Sequence, residues 1–331
     1  MPYKARLKQG EARKRRKPGY RVTEARAYNQ SLRKRGMISL YVRNGDLKAQ
    51  FINAKVRTPG VSGREPTYTT AYIELIYTFY RLFGWGMRQT TGYMEDFWAT
   101  RELDIAVPSF GQLCDRFAAL EVSVTQRCAQ LARRLARGEA IRMIVDSTGL
   151  SFGRASEWYE QKYGHKAART PWRKMHLSID TDMNVHGIRM TTTDVSDNKG
   201  MDSVLPADVP LDRVIADGAY YSIERTEALS RAGVTPVIPP PSHAVVHGEE
   251  QTQWHDTIVG YIKEKGIYAF HNKYGYGLRS LVEAQISRIK RCVGERLLTQ
   301  KIASQENEGV VIGNLINLWN SFGRCVCVKN G

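Results

Sequence analysis

Along residues 70–137 the apolar positions recur every three or four residues, the period of helices with one buried side. One helix is expected through Ile73, Ile76, Tyr77 and Tyr80 up to the glycines at 84 and 86, and a second through MRQTTGYMEDFW. A third follows Pro108 and Ser109, with Leu113, Cys114, Phe117 and Leu120 at helical spacing. A fourth opens at the capping-box pair Ser123 and Gln126 and carries Val124, Cys128, Leu131 and Leu135 as far as Gly138.

From residue 141 the pattern changes to short β-rich runs. IRMIVDSTGL, KMHLSID and VHGIRMTTTDV read as strands, the last two joined by the polar turn TDMN. MDSVLPADV reads as a short helix, RVIADGAY as a strand and its exit, SIERTEALSRAG as a helix closed by Gly233, and VTPVIPP as a further strand. Consecutive strands followed by strand–helix alternation predict an α/β fold, a mixed sheet with flanking helices and an antiparallel portion. Residues 240–275 are polar and are expected to form an irregular insertion. Before the helical region, MISLYVRNGDLKAQF (37–51) has two apolar runs around an Asn-Gly pair, the signature of a small hairpin, and TPGVSGREPT reads as a linker. The expected division is an N-terminal arm and hairpin over 1–65, a helical domain over 66–138 and an α/β domain over 139–331.

Charge sharpens this picture. The 331 residues carry a formal net charge of +16, which favours a polyanionic partner, nucleic acid first. Residues 1–35 hold 13 Lys and Arg against two Glu, including the run Arg13, Lys14, Arg15, Arg16, Lys17. Such a run is either a solvated tail or an arm that folds onto phosphates, and the two are compatible. A basic arm beside short helices suits a helix-turn-helix module, with Gln112 and Arg116 on the reading helix; a plain helical packing domain has the same stripes. The five cysteines contain no Cys-x-x-Cys pair, so reduced thiols and no zinc site are expected. The N-terminus has no apolar signal core, and the apolar stretch 71–87 is broken by Glu74 and Arg81, so no membrane span and a cytoplasmic location are expected.

The acids carry the candidate chemistry. Asp146 follows the apolar run Ile141 to Val145, and Asp217 follows Val214, Ile215 and Ala216. Strand ends are where α/β folds present reactive groups, although each aspartate is also an ordinary turn or cap residue. In YGLRSLVEAQISRIK (276–290) Leu278, Val282, Ile286 and Ile289 make an apolar side, while Tyr276, Arg279, Glu283 and Lys290 fall within roughly a third of the circumference. Glu283 alone is an ordinary ion-pair partner. Together, Asp146, Asp217 and Glu283 are hard oxygen donors without a Cys or His cluster, a set that suits Mg2+ or Mn2+, two ions in an open site, and displacement at phosphorus. Asp180, Asp182, Asp194 and Asp197 compete for the same roles, and His176 is expected to be a strand-face histidine.

Tyr276, Arg279, Glu283 and Lys290 reproduce a Tyr, two residues, Arg, three residues, Glu, six residues, Lys spacing. The chain thereby resembles bacterial insertion-sequence transposases with a DDE catalytic domain, most closely the insertion-sequence-five group. VDSTGL and ADGAY resemble that family's first two acid motifs, and WRKMHLSID the strand between them. FGWGMRQTTGYM and VPSFGQLCDRF resemble its helical half, and residues 294–323 its closing segment. The resemblance implies an RNase H-like domain whose metal-binding triad is Asp146, Asp217 and Glu283, with Tyr276, Arg279 and Lys290 touching double-stranded DNA at the transposon end. It further implies cleavage and strand transfer by a homodimer or larger assembly on DNA, in the bacterial nucleoid. IPPPSHAVVHGEE departs from the family by lacking a basic residue after the prolines. A DNA-binding protein without catalysis, or a nuclease that cuts without joining, are the rival readings.

Overall fold

The computed structural model describes residues 19–42, 44–53, 67–153, 162, 164 and 171–329. The run Arg13, Lys14, Arg15, Arg16 and Lys17 lies outside the described residues. A short strand β1 (Tyr20–Val22) leads into α1 (Ala25–Arg35). Residues 37–51 do not form the expected hairpin. They make a 3-10 turn, Ile38–Leu40, and the short helix α2 (Leu47–Phe51), because the Asp46 side chain accepts a hydrogen bond from Ala49 N at 3.0 Å and caps a helix after the Asn-Gly turn. Phe51 then stacks on Tyr72, with ring centroids 4.8 Å apart.

Helices α3 (Thr70–Phe83), α4 (Met87–Ala99) and α5 (Phe110–Ala118) lie where the apolar periodicity put them. Thr69 caps α3, and Gly84 ends it in the left-handed region at φ 66°. Trp98 Nε1 donates to Tyr72 Oη at 2.7 Å, so two buried aromatics satisfy each other's polar atoms. The helix expected from Ser123 starts later than its capping-box signature predicts: it is α6 (Ala129–Ala136), with Cys128 as its cap. Residues 123–126 are instead held from outside: Thr125 N donates to Asn314 Oδ1 (2.7 Å), Asn317 Nδ2 donates to Thr125 O (3.1 Å), and Gln126 Nε2 donates to Val185 O (2.7 Å). Tertiary partners take the backbone groups that a helix would pair internally.

Five strands follow: β2 (Ile141–Ser151), β3 (Trp172–Ile179), β4 (Val185–Thr191), β5 (Leu211–Ile215) and β6 (Thr235–Val237), with α7 (Asp197–Asp202) and α8 (Ile223–Arg231) between them. They form one mixed sheet in the order β4-β3-β2-β5-β6, antiparallel from β4 to β2 and parallel from β2 to β6. The insertion is not irregular as expected. It contains α9 (Gln253–Lys265) and α10 (Ile267–Tyr274), and only residues 238–249 and a 3-10 turn, Glu250–Thr252, stay outside helices. Polar exposed faces hide the helical stripe of α9, which buries only His255, Ile258 and Val259. Next come a 3-10 turn, Tyr276–Arg279, α11 (Ser280–Cys292) and the long α12 (Ile302–Phe322). A last strand, β7 (Cys327–Lys329), pairs antiparallel with β1, a contact between chain ends that local pattern does not reveal.

Helix α12 lies between the sheet and the helical region. Its Gly309 and Gly313 meet Met190, Ile188 and Val185, where an added Cβ would come within 3.1–3.3 Å of a neighbour. Its other side meets α3 through a buried ion pair: Arg81 Nη1 lies 2.8 Å from Glu308 Oε1, each side chain only 2% exposed. One apolar core therefore runs from Tyr72 and Ile76 through Ile312 and Ile316 to Met175 and Leu177. A smaller core on the opposite sheet face joins Met143, Val145 and Val214 to Met201 and Leu131.

Replacing Glu308 with Leu strands the Arg81 charge and should cost about 3–5 kcal/mol. Urea unfolding is the measurement; a midpoint no lower than that of Lys48→Ala, which breaks the exposed Lys48–Asp104 pair, would refute the importance of the buried one.

Candidate active site

Strands β2 and β5 are parallel, and their last paired residues are Ile144 and Ile215. Asp146 and Asp217 each lie two residues further on, so the geometry sets them side by side beyond the carboxyl end of the parallel pair. Asp146 is not at a strand terminus, as its sequence context suggested. Strand β2 continues to Ser151 in its antiparallel pairing with β3, where Asp146 faces Leu177. Asp217 is at once a cap and a candidate ligand: its Oδ1 accepts from Ala219 N at 2.8 Å and starts the 3-10 turn Gly218–Tyr220. Asp146 Oδ1 is held similarly by Ser147 N at 2.8 Å. Each aspartate thus has one oxygen held by a backbone amide close after it, Asp146 within the strand and Asp217 at its turn.

Glu283 comes from the first turn of α11, which packs against β2 with Val282, Gln285 and Ile289 buried. Its carboxylate is half exposed and pairs with Arg279 Nη2 one turn earlier. Arg279 Nη1 also reaches Asp146 Oδ2 at 3.3 Å, so one guanidinium joins the helix-borne acid to the strand-borne acid. Arg279 is in the 3-10 turn rather than in α11, a tightening that does not separate it from Glu283. Tyr276, half-buried at the start of that turn, stacks on His271 at 4.4 Å. Burial pushes its phenol up, Arg279 opposes this, and the charges of Asp217, Glu283 and Asp146 add to it. Lys290 lies about two turns beyond Glu283 on α11, roughly 10 Å along the axis. It makes no ion pair among the described residues.

The Asp146 carboxyl is raised above its ordinary value, first by burial, with the Ser147 amide and Arg279 pulling it down and the like charges of Asp217 and Glu283 pushing it up. Three carboxylates therefore share one electrostatic site. The competing acids sit elsewhere or do other work. Asp180 is 2% exposed and organises the β3–β4 turn, accepting from Asp182 N, Asn184 N and Asn184 Nδ2 at 2.8–2.9 Å. Asp182 pairs with Arg324, and Asp194 engages Thr192. Asp197 lies nearest: it accepts from Ser147 Oγ at 2.8 Å and sits 3.3 Å from Lys174 Nζ. Ser147, Lys174 and the buried Tyr220, whose phenol is pushed up by burial, border the acids and had no motif to mark them. His176 is fully buried in β3, with Nε2 3.0 Å from Thr191 Oγ1 and its ring against Gly200. Gln112 spends its side chain on the Ser109 cap, accepting from Ser109 N at 2.9 Å, and Arg116 is half-exposed on α5.

Hard oxygen donors of this kind and number fit a divalent cation such as Mg2+ or Mn2+. Among the described residues no three acids, histidines or cysteines stand close enough to form a ready-made cation site, and the positive charge between Asp146 and Glu283 is the Arg279 guanidinium. The attraction of that site for a cation is therefore expressed by the protein's own arginine.

A pH prediction follows from Asp146. An acid raised in the fold costs stability as pH climbs from the ordinary carboxylate value through the raised one, and the full cost is present at neutral pH. Asp146→Asn keeps an acceptor for Ser147 N and cannot ionise. Without added metal it should unfold at a higher temperature than the parent at pH 7, with the difference vanishing near pH 3. A lower melting temperature at pH 7 would contradict this.

Residues 137–318, more than half of the chain, match a family model described as a transposase DDE domain, and residues 33–154 match a second model with the same description. No solved structure matches the chain. The sheet that carries the paired aspartates, the arginine-bridged glutamate and most of α12 all fall within the first match, and the chain belongs to the DDE-domain transposases.

Proposed function

We propose that the chain is a DNA transposase of the bacterial insertion-sequence-five group, which binds the terminal inverted repeats of its element and catalyses cleavage and strand transfer there. The reading rests on one observation above the rest: Asp146 and Asp217 lie just past the last paired residues of two adjacent parallel strands, and Arg279 ties Glu283 to the first of them. The sheet order, three antiparallel strands followed by two parallel ones with α12 across one face, supports an RNase H-like domain.

In this reading residues 139–331 form the catalytic domain, 66–138 the helical DNA-binding domain with Gln112 and Arg116, and 1–65 a basic arm. Asp146, Asp217 and Glu283 would hold Mg2+ or Mn2+, two ions, which supply activation of the attacking oxygen and neutralisation of the leaving one. The chain's own groups do the positioning. The amides of Ser147 and Ala219 fix one oxygen of each aspartate, which holds the other in a defined orientation. Arg279 keeps the carboxylates from repelling one another, and its planar fork suits a DNA phosphate once one arrives. Tyr276 stays protonated at neutral pH and can donate to a phosphate oxygen, while Lys290, which makes no ion pair among the described residues, offers a charge further along the DNA backbone. Cleavage frees a 3′-OH at the transposon end, and the same acids serve when that hydroxyl attacks a target phosphodiester. Joining two ends calls for a homodimer or larger assembly on double-stranded DNA in the nucleoid. No described helix is long and apolar enough to cross a membrane.

Labelled duplexes carrying the element's inverted repeats, with Mg2+ or chelator, test the reading. Asp217→Ala and Glu283→Ala should bind like the parent but cut and join at least about 10²–10³-fold more slowly, the cost of losing one transition-state electrostatic contact. Equal binding with no cutting by any protein would leave a non-catalytic DNA-binding protein, and nicked product without joining would leave a nuclease. A second measurement concerns the arm, whose residues 4–17 hold eight Lys and Arg. Affinity of the full chain should fall about 10³–10⁵-fold between 50 and 200 mM salt. Deleting residues 4–17 should flatten that slope, and an unchanged slope would make the arm a bystander.

A further inference from the structure

Cys325 and Cys327 lie just after α12 with their sulfurs in contact, Sγ to Sγ 3.3 Å, and both are exposed. The acid cluster makes no use of them. Between them, Val326 O accepts two hydrogen bonds from Thr23, from its amide at 2.9 Å and from its hydroxyl at 3.1 Å. Cys327 opens β7 opposite Val22, and β1 is the strand into which the basic arm runs. On the other side of the pair, Arg324 is anchored to Asp182, with Nη2 2.9 Å from Oδ1. The dithiol thus sits between an anchor on the β3–β4 turn and strand β1.

We propose that Cys325 and Cys327 are a reversible dithiol–disulfide site whose oxidation loosens the β1–β7 ribbon. The co-reactant is a small disulfide of the glutathione class. One thiolate of the pair attacks it, forming a mixed disulfide and releasing one small thiol. The second cysteine then loses its proton and attacks the first cysteine's sulfur, forming the 325–327 bond while the sulfur–sulfur bond to the small thiol breaks and that thiol leaves. The two protein sulfurs give up two electrons, and one small disulfide becomes two thiols.

Backbone geometry couples this bond to the ribbon. Residues two apart in an extended strand have their Cα atoms about 6.6–6.8 Å apart, the upper edge of what a disulfide spans, whose usual value is about 5.5–6 Å. Val326 directly precedes β7, so closing the bond draws the two cysteines together and shifts the Val326 peptide between them. That turns away the carbonyl on which Thr23 depends. A two-stranded ribbon is only marginally stable, so losing these bonds is enough to open it. The covalent step stands by itself; its effect on DNA rests on the reading of the arm given above.

The full chain is equilibrated in glutathione buffers of stepped ratio, alkylated and mapped by mass spectrometry. Cys325 and Cys327 should lose their labels together at one midpoint while Cys114 and Cys292 keep theirs, and Cys325→Ser or Cys327→Ser should abolish the intramolecular bond. Amide exchange at Thr23 should be at least about tenfold faster in the oxidised form. Independent glutathione adducts at 325 and 327 without an internal bond overturn the site, and a 325–327 bond with unchanged Thr23 exchange overturns its coupling to the ribbon. Faster exchange with an unaltered salt dependence of DNA binding supports the switch and counts against the arm as a phosphate contact.

Discussion

The buried contact between Arg81 and Glu308 sets the relation between everything else. Two charges withdrawn from water are tolerable only if they are well engaged, and here every Glu308 oxygen and both terminal Arg81 nitrogens are, with only Arg81 Nε left without a partner. Glu308 accepts from Arg81, from Leu298 N at 2.8 Å and from Thr299 N and Oγ1 at 3.0 and 2.6 Å. Arg81 in turn donates to Arg296 O at 2.6 Å and Gly294 O at 3.1 Å. The pair therefore clamps the segment between α11 and α12. That same segment bonds to the end of β2, since Leu297 N donates to Ser151 O at 2.8 Å. Glu283 precedes the clamped segment and Asp146 lies on the clamped strand, so a helix–helix ion pair far from the acids fixes how they face each other.

How much of this was legible beforehand varies with the range of the cause. The sheet strands were readable because runs such as Ile141 to Val145 alternate between two buried faces: Ile144 enters the larger core, Met143 and Val145 the smaller. Asp146, Asp217 and Glu283 were read as two strand exits and one helix face; Asp217 and Glu283 lie where their local pattern put them, while β2 runs on past Asp146 to Ser151 through its long-range pairing with β3. What failed depended on partners distant in sequence. Ser123 and Gln126 look like a capping box until Asn314 and Asn317, nearly two hundred residues later, take the backbone they would have capped. The β1–β7 ribbon joins residues some three hundred apart. The 240–275 segment failed for another reason, because α9 turns a narrow apolar stripe inward and leaves no strong periodicity. Ser147 and Lys174 escaped notice because their meaning comes from Asp197 across the sheet face.

A DNA-acting protein that gathers acids at one point faces an electrostatic conflict. The chain as a whole is strongly cationic, which favours a polyanion, yet in the proposed site three like-charged carboxylates would repel an approaching phosphate. The repulsion within the cluster shows in Asp146, whose carboxyl is pushed up first by burial and then by Asp217 and Glu283. Arg279, which is 16% exposed, opposes it by touching both Asp146 and Glu283. A guanidinium so placed screens the acids from one another without neutralising them permanently. The 3-10 turn that carries it packs against α10, α11, β2 and β5, so the arginine is held by the same elements that carry the acids. Acids and counter-ion thus share one packed frame. In the proposed reading, an incoming phosphate would compete with the carboxylates for the arginine's planar fork.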